Sequence, residues 1–160
     1  MMAVGKTTLG KIVAKKQELK FIDIDTSIEK KNSMTIKEIF KKKGEKFFGM
    51  EEEKEVLKSL EKNNCVIALG GGAFMNKTLR ENILKNSISI WLNVDIKTLS
   101  QRVKWNQKRP LLKEAISQKK LTELYAERKD IYKLANHKIV CDKLSKKNIA
   151  EKIIALYEKY

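Results

Sequence analysis

Cys65-Val66-Ile67-Ala68-Leu69 is a continuous apolar run that stops at three successive glycines, Gly70, Gly71 and Gly72. No polar residue alternates with the apolar ones, so this is not a strand with one wet face. It reads as a strand buried on both sides, the situation of a strand inside a parallel sheet covered by helices. Parallel neighbours need long crossover connections, usually helical, so the rest of the chain has to alternate strands with helices.

The remaining pattern meets that requirement. A helix is expected over residues 5–16, with Leu9, Ile12 and Val13 at helical spacing. Residues 21–25, Phe-Ile-Asp-Ile-Asp, read as a short strand ending in acids, with Asp25, Thr26 and Ser27 capping a short helix over 27–31. Thr35 and Glu38 form a capping-box pattern for a helix that stops near Gly44, and a second helix is expected from 45 to about 62. After the glycines come a helix over 77–85, a strand over 88–92 and a helix capped by Asp95. Residues 104–118 have weak periodicity and hold Pro110, the chain's one proline; they read as a long basic loop. A helix over 119–134, a strand over 137–141 and a Ser145-capped final helix complete the pattern. Strand–helix alternation of this kind indicates an α/β fold with a parallel sheet. The 160 residues read as a single domain with no repeat or linker.

Bulk properties exclude several function classes. No apolar run is long enough to span a bilayer, and no secretory leader is recognisable, so a cytoplasmic location is expected. Cys65 and Cys141 are far apart and form no CxxC pair, which argues against a disulfide framework or a zinc site. The formal charge is +15, which a nucleic-acid binder would share. The excess is nearly all lysine, spread over helix surfaces without stacking aromatics or arginine runs, so a solvated lysine surface is the favoured reading and nucleic acid is not expected as a partner. An anionic substrate would also favour a positive field.

Against that lysine background, the only arginines are Arg80, Arg102, Arg109 and Arg128. Arginine stays charged, grips carboxylate or phosphate with two parallel donors and stacks on rings, which lysine does not do.

Candidate chemistry collects where strands end. In a parallel α/β sheet ligands sit beyond the carboxyl ends of the strands. Gly5, Lys6, Thr7 and Thr8 match the last part of the phosphate-loop signature, glycine, four free positions, then Gly-Lys-Ser/Thr. Its first glycine would fall one residue before Met1, as would the strand leading into it. In such a loop backbone N–H groups cradle phosphate, the lysine reaches the outer phosphates and the hydroxyl ligates magnesium. Asp23 and Asp25 follow the next strand. Asp25 also has a plain reading as a helix cap, and the glycine triplet as a tight turn. Three glycines in a row nevertheless cost more backbone entropy than a turn requires, which favours a ligand approaching the backbone closely. The 104–118 loop with Arg109 reads equally as plain surface or as a lid closing over anionic ligands. His137, Trp91, Trp105, Tyr125 and Tyr132 read as strand or packing residues.

Taken together, these motifs resemble shikimate kinase, a small P-loop kinase of the nucleoside-monophosphate-kinase-like group. The resemblance rests on Gly-Lys-Thr-Thr at 5–8, Phe-Ile-Asp-Ile-Asp at 21–25 and Ile-Phe…Gly-Glu-Lys-Phe-Phe over 39–48. It continues with Leu-Gly-Gly-Gly-Ala at 69–73, Arg-Pro-Leu-Leu at 109–112 and Glu-Arg…Tyr over 127–132. It implies a three-layer α/β/α kinase domain, with 26–62 as a helical substrate-binding region and 104–118 as a mobile lid. It implies ATP and shikimate as ligands, magnesium as the cofactor, a monomer, and the formation of shikimate 3-phosphate in aromatic amino acid biosynthesis. Gly5, Lys6, Thr7 and Thr8 would bind ATP, with Arg102 stacking on adenine and Arg109 neutralising the transferring phosphates. Thr7 and Asp23 would hold magnesium. Asp25, Gly70, Gly71, Gly72 and Arg128 would bind shikimate, and Lys6, Asp25 and Arg109 would carry catalysis. A related small-molecule kinase, gluconate kinase-like, and a non-catalytic basic nucleotide- or nucleic-acid-binding module are the alternatives.

The chain departs from the family pattern in two places. An arginine that would grip the substrate carboxylate beside Arg128 is replaced by Gly49, so weak shikimate binding, or a related polyol acid, is expected. The strand before Gly5 is missing from the sequence, and a start some ten residues upstream is expected; that strand would lie in the middle of the sheet.

Overall fold

The computed structural model describes residues 4–105 and 118–160. Its four strands are β1 (Lys20–Asp23), β2 (Cys65–Ala68), β3 (Ile90–Asn93) and β4 (His137–Val140). They form two parallel pairs. In β1–β2, Phe21 lies opposite Val66 and Ile22 opposite Ile67. In β3–β4, Trp91 lies opposite Lys138 and Leu92 opposite Ile139. Every ladder among the described residues is thus parallel, as the unbroken apolar runs imply. No ladder among them joins β2 to β3, so the strands form two sheets.

The helices are α1 (Lys6–Lys16), α2 (Ile24–Asn32), α3 (Ile36–Leu60), α4 (Lys77–Asn86), α5 (Ile96–Trp105), α6 (Gln118–Tyr132) and α7 (Lys146–Tyr157), with a 3₁₀ turn at Ala73–Met75. They lie on both sides of the strands. Val13 of α1 packs with Ala150 and Ile154 of α7, and Val66 of β2 joins that small cluster. The next strand residue, Ile67, packs instead against the larger core built on Ile24, Ile28, Ile39, Val56, Leu79 and Leu99. Successive strand side chains point to opposite faces, so one apolar run feeds two cores. This is the three-layer arrangement.

Local chemistry sets most element ends. Thr35 and Glu38 cap α3 reciprocally, as expected. Ser145 and Asn76 cap α7 and α4 by accepting the N–H three residues on. Gly44 breaks α3 with a positive φ of 82°, which separates the two helices read from the sequence.

One expectation is corrected. Asp23, not Asp25, caps α2: its carboxylate accepts the Thr26 N–H at 3.3 Å and its carbonyl accepts the Ser27 hydroxyl at 3.1 Å. The helix therefore starts at Ile24 instead of 27, and Asp25 falls in its first turn, where a carboxylate is favoured by the helix dipole. β1 is correspondingly shorter than the 21–25 strand at its carboxyl end.

Among the described residues no helix is long and apolar enough to cross a membrane. Cys65 and Cys141 are free thiols.

Candidate active site

The first half of the site forms where α1 begins. Gly5 precedes α1 with φ of 94°, in the left-handed region that side chains disfavour. It turns the chain so that α1 opens at Lys6, with the outward-facing N–H groups of a helix N-terminus beside it. Thr7 is on the first turn, and its hydroxyl donates to Asp23 Oδ2 at 2.7 Å. Two residues 16 positions apart are thereby joined at the carboxyl end of β1. An exposed hydroxyl beside a carboxylate is the kind of oxygen donor set that a hard divalent cation accepts, with the remaining positions left to water and phosphate. Thr7 and Asp23 thus fit magnesium. Lys6 is half-buried at the same helix start, and Thr8 is exposed on α1.

The second half forms around the glycine triplet after β2. A Cβ on Gly70 would collide with Glu52 Oε1 and lie 3.3 Å from Asp25 Oδ1, so two carboxylates close on that backbone and any side chain there would displace the Glu52 carboxylate. A Cβ on Gly72 would lie 3.4 Å from the other oxygen of Glu52. The Gly71 carbonyl accepts from both Arg128 Nη1 (3.3 Å) and the Tyr132 hydroxyl (2.6 Å). Tyr132 is itself buried between the rings of Phe74 and Trp91. Arg128 and Tyr132 lie one turn apart on α6, so this helix face holds the glycine turn in place.

Glu52 is the unusual group. It is 6% exposed, and its Oε1 has no hydrogen-bond partner among the described residues. Burial pushes its carboxyl up to about 7, the nearby Asp25 charge adds to this, and Arg128 partly offsets it. Its neighbour Glu51 is just as buried but accepts from Lys31 at 3.0 Å and lies 3.5 Å from Lys54. Those partners, Lys31 first, hold it below the usual carboxylate range. Adjacent glutamates are thus driven in opposite directions by their surroundings, a pattern that accompanies acid–base division of labour.

The structure brings together Gly5, Lys6, Thr7 and Asp23 at one end, and Asp25, Gly70, Gly71, Gly72 and Arg128 at the other. Asp23 and Asp25 join the halves, since both belong to the β1–α2 junction. Arg102 lies on α5. Arg109 and most of the 104–118 segment lie outside the described residues. Arg80 serves the fold: its Nη1 donates to the carbonyls of Phe74 and Met75 and ties the 3₁₀ turn to α4. Gly49 sits on an exposed part of α3, and a Cβ there would meet nothing within 4 Å.

The sequence reading misses Glu52 as a site residue and takes Tyr132 for packing alone. A signal for Glu52 existed: Phe48, Glu52 and Val56 fall at helical spacing, so an acid stands on the apolar stripe of α3. It was masked by the run Glu51-Glu52-Glu53, which looks like a solvated face.

Comparison with known proteins bears on this geometry. Residues 2–158 match the family model described as Shikimate kinase. The chain is 41% identical over 153 residues to a shikimate kinase of Sulfurihydrogenibium sp. (strain YO3AOP1), covering 96% of this chain and 91% of that one. It is 39% identical over 160 residues to a shikimate kinase of Bartonella henselae, covering 100% and 76% respectively. Among solved structures, shikimate kinase from Acinetobacter baumannii in complex with shikimate superposes with a TM-score of 0.90 at 31% identity, over 99% of this chain and 89% of that one.

Proposed function

Since the chain belongs to the shikimate kinase family, its reaction is the ATP-dependent phosphorylation of shikimate, and we propose that its own residues divide the work as follows. The α1 N-terminus, with Gly5, Lys6, Thr7 and Thr8, holds the ATP phosphates, and Lys6 neutralises charge on the outer ones. Thr7 and Asp23 hold magnesium, which when bound offsets the charge of the transferring phosphoryl group. Asp25 orients the shikimate 3-hydroxyl and accepts its proton as phosphorus is attacked. Gly70, Gly71 and Gly72 present backbone to the substrate, and Arg128 binds its carboxylate. Arg109 neutralises the phosphates from the 104–118 segment, and Arg102 stacks on adenine. The protein works as a monomer in the cytoplasm.

The observation that carries this reading is the pairing of Thr7 with Asp23 at one end of the β1–α2 junction while Asp25 meets the glycine turn at the other. A phosphoryl donor and an alcohol acceptor would then meet across two residues of chain. Positioning and charge neutralisation supply most of the catalysis in such a site. The test is an ADP-release assay with shikimate, with gluconate, and with magnesium chelated. Turnover with shikimate and magnesium alone is expected; turnover with gluconate at a higher kcat/KM would overturn the substrate assignment.

Gly49 favours a narrower second reading. Arg128 lacks the companion arginine that the family pattern supplies, so the carboxylate grip is single. Weak binding of shikimate, or preference for a related polyol acid, follows from losing one partner of a charge-assisted pair, which costs about 2–5 kcal/mol in a desolvated site.

A further inference from the structure

Glu52 takes no part in phosphate or magnesium binding, yet it stands among the residues that receive the substrate. Its Oε1 closes on Gly70, and Asp25 Oδ1 flanks the same point of that glycine. The side chain is buried, and Oε1 has no hydrogen-bond partner among the described residues. Donors nearby are directed elsewhere: Arg128 Nη1 and the Tyr132 hydroxyl both donate to the Gly71 carbonyl. A buried carboxylate ordinarily has partners, and one left bare is favoured as the uncharged acid.

The charges facing Glu52 come from two elements. Burial is the largest influence and opposes ionisation; Asp25, in the first turn of α2, opposes it too, and Arg128, on α6, favours it. The glycine turn brings no charge. On α3 itself, Glu51 is turned to Lys31 and Lys54, and position 49, one turn earlier, is glycine. Among the described residues, Arg128 is therefore the cation that Glu52 and an anionic substrate have to share.

A substrate carboxylate seated on Arg128 engages that cation and adds a negative charge near Glu52. Ionised Glu52 then becomes less favourable, so the bound anion holds the proton on Glu52. By reciprocity the proton on Glu52 tightens the anion. We propose that Glu52 is a specificity-determining residue for substrate charge: as an uncharged acid it leaves Arg128 to the substrate carboxylate, and as a carboxylate it competes for Arg128 and turns the anion away. Substrate binding is thereby coupled to proton uptake. With the Glu52 carboxyl held at about 7, the coupling operates near neutral pH, and affinity falls as pH rises. The proposal rests on the reading of Asp25, Arg128 and the glycine turn as the shikimate site.

The test measures Kd for shikimate by calorimetry, and KM, from about pH 6 to 8.5 in the parent and in Glu52→Gln; a free carboxylate such as that of shikimate is ionised throughout this range. In the parent both constants are expected to rise about fivefold or more across the range, the change falling on KM rather than kcat. In Glu52→Gln that rise is expected to vanish. Calorimetry near pH 7.5 in two buffers of different ionisation enthalpy should show uptake of about half a proton per shikimate bound by the parent, and none by the variant. Shikimate methyl ester, which carries no charge, should bind the parent without this pH dependence. A pH dependence that persists in Glu52→Gln, absence of proton uptake by the parent, or an equal pH dependence for the ester overturns the proposal. The uptake measurement uses the unaltered protein, so it decides the matter whether or not the variant folds. Turnover of shikimate without these effects removes the role of Glu52 alone, whereas neither binding nor turnover of shikimate at pH 6 removes the substrate assignment with it.

Discussion

Glu52→Gln is expected to stabilise the protein at alkaline pH and to leave it unchanged near pH 4.5. The folded state holds the Glu52 carboxyl at about 7 against an ordinary value of 4.5. Between those values the folded chain binds more protons than the unfolded one, so stability falls as pH rises through this window. The penalty is absent below the unfolded value and complete above about 7. A shift of this size, which already includes the partial offset by Arg128, corresponds to roughly 3 kcal/mol at one pKa unit per 1.36 kcal/mol. Glutamine keeps the shape and removes the charge, so it recovers that amount. In a domain of this size the gain appears as about 6–12 °C in Tm. The assay is thermal unfolding of parent and variant at half-unit steps from pH 4.5 to 8.5. The difference between the two at each pH cancels the other titrating groups. A Tm gap that is constant across the range, or one that shrinks as pH rises, would refute the reasoning.

Other variants probe the rest of the site. Gly49→Arg has room for its side chain; it should lower KM for shikimate at least about tenfold, and an unaltered KM rejects the single-grip reading. Asp25→Asn should reduce kcat by about 10²–10⁴ with little change in KM for ATP, the size of effect seen when a general base is lost; steady-state kinetics decide it. Thr7→Val removes the hydroxyl that meets Asp23 and should raise the magnesium concentration needed for half-maximal rate, read from a metal titration. Arg80→Ala should cost about 1–3 kcal/mol of stability through the freed Phe74 and Met75 carbonyls, with activity per folded molecule unchanged.

The class of fold, and most of the residues that make up the candidate site, were legible along the chain before any tertiary contact was known. Apolar runs that end in glycine or aspartate require strands covered on both sides, and helical spacing between them requires crossovers. Gly5, Lys6, Thr7, Asp23, Asp25 and the glycine triplet stood out because strand ends are where an α/β sheet exposes backbone and charge to a ligand. Spacing along the chain is a local property, and these residues advertise themselves locally.

Groups that act through neighbours far away in sequence took their state from packing instead. Glu51 and Glu52 are the same residue type in the same helix turn. Lys31 reaches one of them, while Gly70, Asp25 and Arg128 surround the other, and only packing of α3 against α2, α6 and the glycine turn makes that difference. Tyr132 likewise becomes part of the site because α6 lays its hydroxyl on the Gly71 carbonyl, 61 residues away.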